Sequence, residues 1–171
     1  MIILGIDPGL NATGYGIIET GPERLRAVIA GDIRPPAKQP LTERLAVIHR
    51  ELSALISRHR PAVAVLEKIF THHSYVTTAT LMGHARGVAC LAAQEHGLLL
   101  AEYPPTQVKK SLTGSGAASK DQVSRMVGQW LASHDPSWSA DATDALALAI
   151  VYAHTDARRQ QLPAALLGRR R

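Results

Sequence analysis

The chain has 171 residues and a formal net charge of +5, from 19 Lys and Arg against 14 Asp and Glu. This length fits one domain of ordinary size, which buries enough surface to fold without staples. Its single cysteine excludes an internal disulfide and fits a reducing compartment. No apolar run approaches the roughly 20 residues of a membrane span, and the N-terminal segment lacks the features of a signal peptide.

The positive charge is concentrated at the C-terminal end. Residues 157–171 hold five arginines and no acid, so 14 basic residues remain against 14 acidic ones elsewhere. Such a tail is compatible with nucleic-acid binding and equally with a solvated, disordered end. We predict one folded domain over residues 1–155 and a basic, flexible tail over residues 156–171.

Three strands are predicted at the start of the chain. Residues 1–7 are an apolar run that ends in Asp7, and residues 13–18 form a second strand whose glycines indicate close approach of other backbone. Residues 24–33 complete an antiparallel meander, with a bulge predicted at Gly31-Asp32.

Helices and strands alternate in the remainder. Leu and Ile at steps of four and three predict a helix that begins at Leu41 and ends before Pro61. A short apolar strand, residues 62–66, is followed by Glu67. The later elements are a helix over 77–95, a strand over 98–103, a short helix over 106–112, a helix from 120 to about 132 capped by Ser119, and a last helix over 141–155. This order predicts an α/β fold with a mixed five-stranded sheet flanked by helices.

Four acidic residues stand where ligands are usually bound. Asp7 and Glu67 each end an apolar strand, and ligand sites in α/β sheets lie at the carboxyl ends of strands. Asp141 and Asp144 are three apart at a helix start, so they share a face, and the helix dipole favours their ionisation. Simpler interpretations remain open for three of them: an arginine partner for Asp7, a surface position for Glu67 and an N-cap role for Asp141.

Together the four acids predict a divalent metal centre. Carboxylate oxygens suit Mg²⁺ or Mn²⁺, and the chain has no cysteine or HxxxH grouping for zinc. Clustered carboxylates repel one another strongly unless cations are present, and two divalent ions would balance four negative charges. Two such ions clamp the attacking and leaving oxygens of an in-line phosphoryl displacement. The expected chemistry is therefore phosphodiester hydrolysis.

Several short segments around these acids occur in a recognisable order. They are Ile3-Leu4-Gly5-Ile6-Asp7-Pro8-Gly9, Thr13-Gly14-Tyr15-Gly16, Leu66-Glu67 with Phe70 after it, Gly83-His84-Ala85-Arg86-Gly87-Val88-Ala89, and Asp141-Ala142-Thr143-Asp144-Ala145-Leu146-Ala147. In this order they resemble the RuvC Holliday junction resolvases, over nearly the whole chain. The resemblance implies a ribonuclease H-like fold and a metal-dependent endonuclease. It implies a homodimer that nicks two opposing strands of a four-way DNA junction symmetrically, in recombination and repair, leaving 5′-phosphate ends.

The resemblance also implies roles for individual residues. The catalytic metal ligands, for two Mg²⁺ or Mn²⁺ ions, align with Asp7, Glu67, Asp141 and Asp144, and some members carry histidine in place of Asp141. The functionally important lysines align with Lys109 and Lys120, which could reach phosphates. Phe70 aligns with an aromatic residue that stacks on an unpaired base, although a lone aromatic after a strand is often a core residue.

Two further DNA contacts are predicted. Tyr75 is a second stacking candidate, and Arg86 could bind DNA or form a structural ion pair instead. Lys68 stands where several relatives carry Gln, and residues 71–78 differ from the family pattern, so the sequence preference at the cut stays open.

The partners implied are a junction-recognition protein and a branch-migration ATPase, RuvA- and RuvB-like, in the bacterial cytoplasm and away from membranes. Two other functions remain as alternatives. One is another ribonuclease H-like nuclease that acts on RNA or on other branched DNA. The other is a junction-binding protein without catalysis, which four intact acids argue against, since negative charge next to phosphates weakens binding.

Overall fold

A five-stranded mixed sheet forms the centre of the fold. The computed structural model describes residues 1–22, 24–68, 76–131, 135 and 137–161. The strands are β1 (Ile2–Asp7), β2 (Thr13–Thr20), β3 (Leu25–Ile33), β4 (Val63–Glu67) and β5 (Leu99–Tyr103). The helices are α1 (Leu41–His59), α2 (Val76–Glu95), α3 (Pro105–Thr113), α4 (Lys120–Trp130) and α5 (Ala140–Gln161). The predicted element order is confirmed.

The strand order is β3-β2-β1-β4-β5. β1, β2 and β3 form the predicted antiparallel meander, whereas β4 and β5 run parallel to β1. Ile6 is paired with Leu66, so the residues that follow them, Asp7 and Glu67, end neighbouring parallel strands side by side. The predicted mixed sheet is therefore confirmed, and it places two of the four acids at one edge.

One face of the sheet is covered by α5, with α3 and α4 beside it. The helix backbone lies almost directly on the strands. A Cβ added to Gly5 would lie 1.8 Å from the carbonyl oxygen of Ala145, and one added to Gly14 would lie 2.1 Å from that of Asp141. Only glycine allows this approach, which confirms that the strand glycines mark a backbone contact.

The opposite face is covered by α1 and α2 through large apolar side chains. Its fully buried members include Leu4, Ile6, Ile17, Ile48, Leu52 and Leu66. In α2, Ala85 and Ala89 are buried, whereas Gly83 and Gly87 are exposed and face open space. The small residues of α2 therefore lie on two different faces of the helix.

Two sequence predictions need correction. The bulge in β3 is at Val28, because Ile17 pairs with Ile29 while Ile18 pairs with Ala27; Gly31 and Asp32 stay in register. The last helix continues to Gln161 instead of ending at 155, since no glycine or proline interrupts it before Pro163. The first part of the predicted tail is thus helical, and residues 162–171 lie outside the described residues. None of the described helices has the length and apolar character needed to cross a membrane.

Candidate active site

All four predicted acids lie at the end of the sheet where β1 and β4 terminate, and on one face of it. Side chains alternate along a strand, so Asp7 points to the same face as Gly5, the face that α5 covers. Glu67 shares its face with Val63 and Val65, which pack in the same cluster as α5. The first turn of α5 lies over Gly14, the neighbour of Asp7 in β2, and brings Asp141 and Asp144 to this edge.

The acids are close enough to affect one another's ionisation. Burial, and then the charges of Asp144, Glu67 and Asp141, raises the pKa of Asp7 from 3.8 to about 7, while Lys120 opposes the shift. Burial and Asp144 also raise the pKa of Glu67, against the opposing charges of Lys120 and Lys109. The cluster therefore holds more negative charge than the protein side chains balance.

Lys120 is the cation in direct contact with the cluster. Its Nζ lies 3.1 Å from Oδ2 of Asp144, and this hydrogen bond is the main cause that raises the pKa of Lys120. Lys120 begins α4, where Ser119 forms the predicted cap as part of a capping box with Gln122. Lys109, on α3, contributes through its charge on Glu67. Lys120 therefore contacts one of the acids, and Lys109 is near enough to Glu67 for its charge to lower the pKa of that acid.

The turn that follows Asp7 is fixed from two sides. The buried hydroxyl of Thr13 donates to the carbonyl oxygen of Gly9 at 2.8 Å. Arg44 of α1 donates to the carbonyl oxygen of Leu10 at 2.9 Å and to Oδ1 of Asn11 at 2.8 Å. Among the ion pairs of the described residues none includes Asp7, so the arginine-partner interpretation of that acid does not hold there.

Ser139 caps the start of α5. Its Oγ accepts a hydrogen bond from the backbone N–H of Ala142 at 3.0 Å. Its carbonyl oxygen accepts one from the backbone N–H of Thr143 at 3.0 Å. Asp141 is therefore not the N-cap, and its carboxylate is left for other contacts. The sequence prediction missed Ser139 and its partner Asp32, although a serine directly before a helix is an ordinary cap signal.

Arg86 forms the structural ion pair that the sequence left open. Its guanidinium pairs with Glu102 of β5, and Nη1 donates to the carbonyl oxygen of Glu67 at 3.1 Å. Arg86 thus ties α2 and the edge strand to the end of β4, where a site acid lies. Phe70 and Tyr75 lie outside the described residues, as do the other residues from 69 to 75.

The donor chemistry of the site fits a hard divalent cation. Four carboxylates supply oxygen ligands, and their mutual repulsion is what bound cations would relieve. Within the described part of the chain, no three Asp, Glu, His or Cys side chains are arranged to hold an ion as they stand. Lys120 contacts only Oδ2 of Asp144, so Oδ1 is the oxygen that an ion could bind without displacing this lysine.

The fold and the acids at its edge define a ribonuclease H-like nuclease. The profile of the family described as "Crossover junction endodeoxyribonuclease RuvC" matches residues 3–152. The chain belongs to this family.

Individual relatives agree with the family match. The chain is 47% identical to the crossover junction endodeoxyribonuclease RuvC of Bradyrhizobium diazoefficiens over 152 residues, covering 89% of this chain and 86% of that one. A Rhodopseudomonas palustris relative of the same description is 45% identical, with 95% and 92% covered. The structure of Thermus thermophilus RuvC in complex with a Holliday junction substrate superposes with a TM-score of 0.86, at 30% identity over 93% of this chain and 96% of that chain.

Proposed function

We propose that the protein is a structure-selective DNA endonuclease that resolves four-way (Holliday) junctions by paired symmetric nicks, in recombination and repair. The observation that carries the proposal is the set of four acids at one sheet edge, on a fold that superposes on a relative solved with a Holliday junction. Membership of the RuvC family supports the same substrate over RNA or other branched DNA.

In this proposal Asp7, Glu67, Asp141 and Asp144 hold two Mg²⁺ or Mn²⁺ ions. When bound, such ions clamp the attacking and leaving oxygens of the phosphodiester and neutralise its developing charge. The acids bind such ions in their ionised form, and in the metal-free protein the pKa of Asp7 is raised to about 7. When the metal is below saturation, cleavage should therefore rise with pH towards about 7, because protons compete with the metal for Asp7.

Lys109 and Lys120 are proposed to contact the phosphate backbone beside the cluster, with Phe70 and Tyr75 stacking on unpaired bases. Base stacking of this kind is worth roughly 1–3 kcal/mol per base. Arg86 was predicted either to bind DNA or to form a structural ion pair, and its guanidinium pairs with Glu102 and donates to the carbonyl oxygen of Glu67. Its proposed role is to position Glu67.

A homodimer is proposed because resolution needs two matched cuts, one from each active site. α2 and the edge strand β5, which pack beside each other, expose several large apolar side chains. These are Leu81, Leu91, Leu99 and Leu100, of which Leu99 is 68% exposed. Leu100 lies on the sheet face that α2 covers and Leu99 on the other, so both sides of the edge strand offer apolar side chains to a partner. The other proposed partners are RuvA- and RuvB-like proteins, in the bacterial cytoplasm where junction DNA is found.

The test is a cleavage assay with four-way junction, linear duplex and RNA–DNA hybrid, each in Mg²⁺ and then Mn²⁺. The wild type should cut only the junction, and Asp7→Asn should abolish cutting while junction binding persists or tightens, because a negative charge is removed beside phosphates. Glu43→Gln, a carboxylate-to-amide change on α1 at the opposite face, is the matched control and should cut normally. Unimpaired cutting by Asp7→Asn would falsify the proposed site.

The lysines offer a second, finer test. Lys109 lies beside Glu67, whereas its neighbour Lys110 is exposed on another side of α3. Lys109→Ala should weaken junction binding and make it less sensitive to salt, because one phosphate contact is lost. Lys110→Ala should change neither the affinity for the junction nor its salt dependence. Equal effects of the two substitutions would mean that the net charge of the protein matters and not the position of Lys109.

A further inference from the structure

A fifth acid, Asp32, lies in the same row of the sheet as Asp7. Asp7 is paired with Gly14, and Gly14 is paired with Asp32 on its other side. Residues directly opposite one another on neighbouring strands point to the same face of a sheet. Asp32 therefore faces α5, as Asp7 does, with only the glycine between them.

Asp32 is bound to the residue that starts α5. Its Oδ1 accepts from Oγ of Ser139 at 2.6 Å, and its Oδ2 accepts from Arg34 at 2.8 Å. The side chain is only 12% exposed, against 61% for Arg34. The contact joins residues 107 positions apart, so it is a feature of the tertiary fold and not of the local chain.

The contact fixes the hydroxyl that caps the helix. A serine hydroxyl has one proton and two lone pairs. When Asp32 accepts the proton, the oxygen is oriented so that a lone pair is left for the N–H of Ala142, 3.0 Å away. The sheet thus determines the rotamer of Ser139, and Ser139 determines where the first turn of α5 begins.

This first turn carries two of the four site acids. Gly14 supports it from below through the main chain of Asp141, and Asp32 holds its end through Ser139. A functional constellation has to be held within about 0.5 Å of its working geometry. A shift of this turn would move Asp141 and Asp144 together with respect to Asp7 and Glu67.

We propose that Asp32 is a positioning residue of the active site: through Ser139 it sets the first turn of α5, so that Asp141 and Asp144 meet a divalent cation together with Asp7. Asp32 does not bind the cation itself. This inference rests on the proposed function, because it requires that the four acids bind metal.

The experiment is a calorimetric titration of the DNA-free protein with Mn²⁺, with the thermal midpoint of the metal-free protein recorded alongside. Asp32→Ala and Ser139→Ala should each weaken Mn²⁺ binding about tenfold, the loss expected when the support of a metal ligand is removed. Asp32→Asn keeps an acceptor for the Ser139 hydroxyl and should restore most of the affinity. Adding Asp32→Ala to Ser139→Ala should cause little further loss, because both remove the same contact.

Two controls separate positioning from general destabilisation. Arg34→Ala removes the other partner of Asp32 and should leave Mn²⁺ binding unchanged. Ile56→Val lowers the thermal midpoint from the opposite face of the sheet, and it should not change Mn²⁺ affinity. The inference is overturned if Asp32→Ala binds Mn²⁺ as the wild type does, or if Ile56→Val weakens binding as much at a similar loss of thermal midpoint.

The same titration distinguishes this failure from a failure of the proposed function. Wild-type binding that Asp7→Asn removes establishes the metal site independently of Asp32. If the wild type binds no Mn²⁺, both the metal site and the role of Asp32 are wrong. If the wild type binds and Asp32→Ala binds equally well, only the positioning role is wrong.

Discussion

The two faces of the sheet are packed in different ways. On the α5 face, helix main chain lies on glycines of β1 and β2, with no side chain between them at Gly5 and Gly14. On the α1 and α2 face, large apolar side chains such as Ile6, Leu52 and Ile56 fill the space. The site acids lie only on the first face. A contact between backbones leaves no rotamer to adjust, so the face that carries the site has the less adjustable geometry.

The largest combined effect on stability and cleavage is expected where this backbone contact is blocked. In Gly14→Ala the new methyl would lie 2.1 Å from the carbonyl oxygen of Asp141, so α5 must move. We expect a loss of about 3 kcal/mol in the free energy of unfolding, and loss of cleavage with it. Urea denaturation and the junction assay measure the two effects.

The control for that variant is Gly87→Ala, a helical glycine that faces open space. Its free energy of unfolding should rise by about 0.5–1 kcal/mol, because alanine is the better helix former. A Gly14→Ala protein as stable and active as the wild type would show that the α5 face is as adaptable as the other.

On the opposite face, Leu52→Ala should lower the free energy of unfolding by about 2–4 kcal/mol, because it leaves a cavity among fully buried side chains. Cleavage, measured at a temperature where the variant remains folded, should be close to that of the wild type. If cleavage falls as far as in Gly14→Ala, the two faces do not differ in the way proposed.

A smaller effect comes from the raised pKa of Asp7. Since the folded protein holds this proton up to about pH 7 and the unfolded chain releases it near 3.8, the metal-free protein loses stability as pH rises between those values. Asp7→Asn should remove the part of this slope that Asp7 causes and be more stable than the wild type at about pH 8, because asparagine does not ionise. Urea denaturation in EDTA across this pH range is the measurement; parallel curves for the two proteins would contradict it.

The smallest effect is expected at the end of α1. Arg60 has φ 49° in the left-handed region, where its N–H closes the helix on the carbonyl of Ile56. Arg60→Gly should raise the free energy of unfolding by about 0.5–1 kcal/mol, because glycine adopts the left-handed conformation without the steric strain of a Cβ atom. Junction cleavage should not change. A destabilised Arg60→Gly would mean that the arginine side chain makes a contribution larger than the backbone strain.

The sequence predicted the sheet and the placement of the acids because both follow from local patterns. Apolar runs ending at Asp7 and Glu67 are visible without any tertiary information, and parallel pairing of β1 with β4 then brings these acids together. The same applies to the cap at Ser119, since the capping box lies within four residues.

The features that were missed depend on residues far apart in the chain. Asp32 contacts Ser139 only because the sheet brings β3 under the start of α5, and Asp32 itself looked like part of a bulge. The use of Arg44 to hold the turn at Leu10 is of the same kind. Neither contact has a periodic signal that a sequence pattern would contain.

The strand order has a consequence for how the molecule opens. β1 and β4, which end in Asp7 and Glu67, each have a neighbouring strand on both sides, as β2 does, whereas β3 and β5 are the edge strands. Local opening begins where backbone hydrogen bonds are least protected, so amide exchange should be fastest at the edges and slowest in the central strands. On heating, the strands that carry these acids would be the last to separate, after the edge strand β3 that carries Asp32.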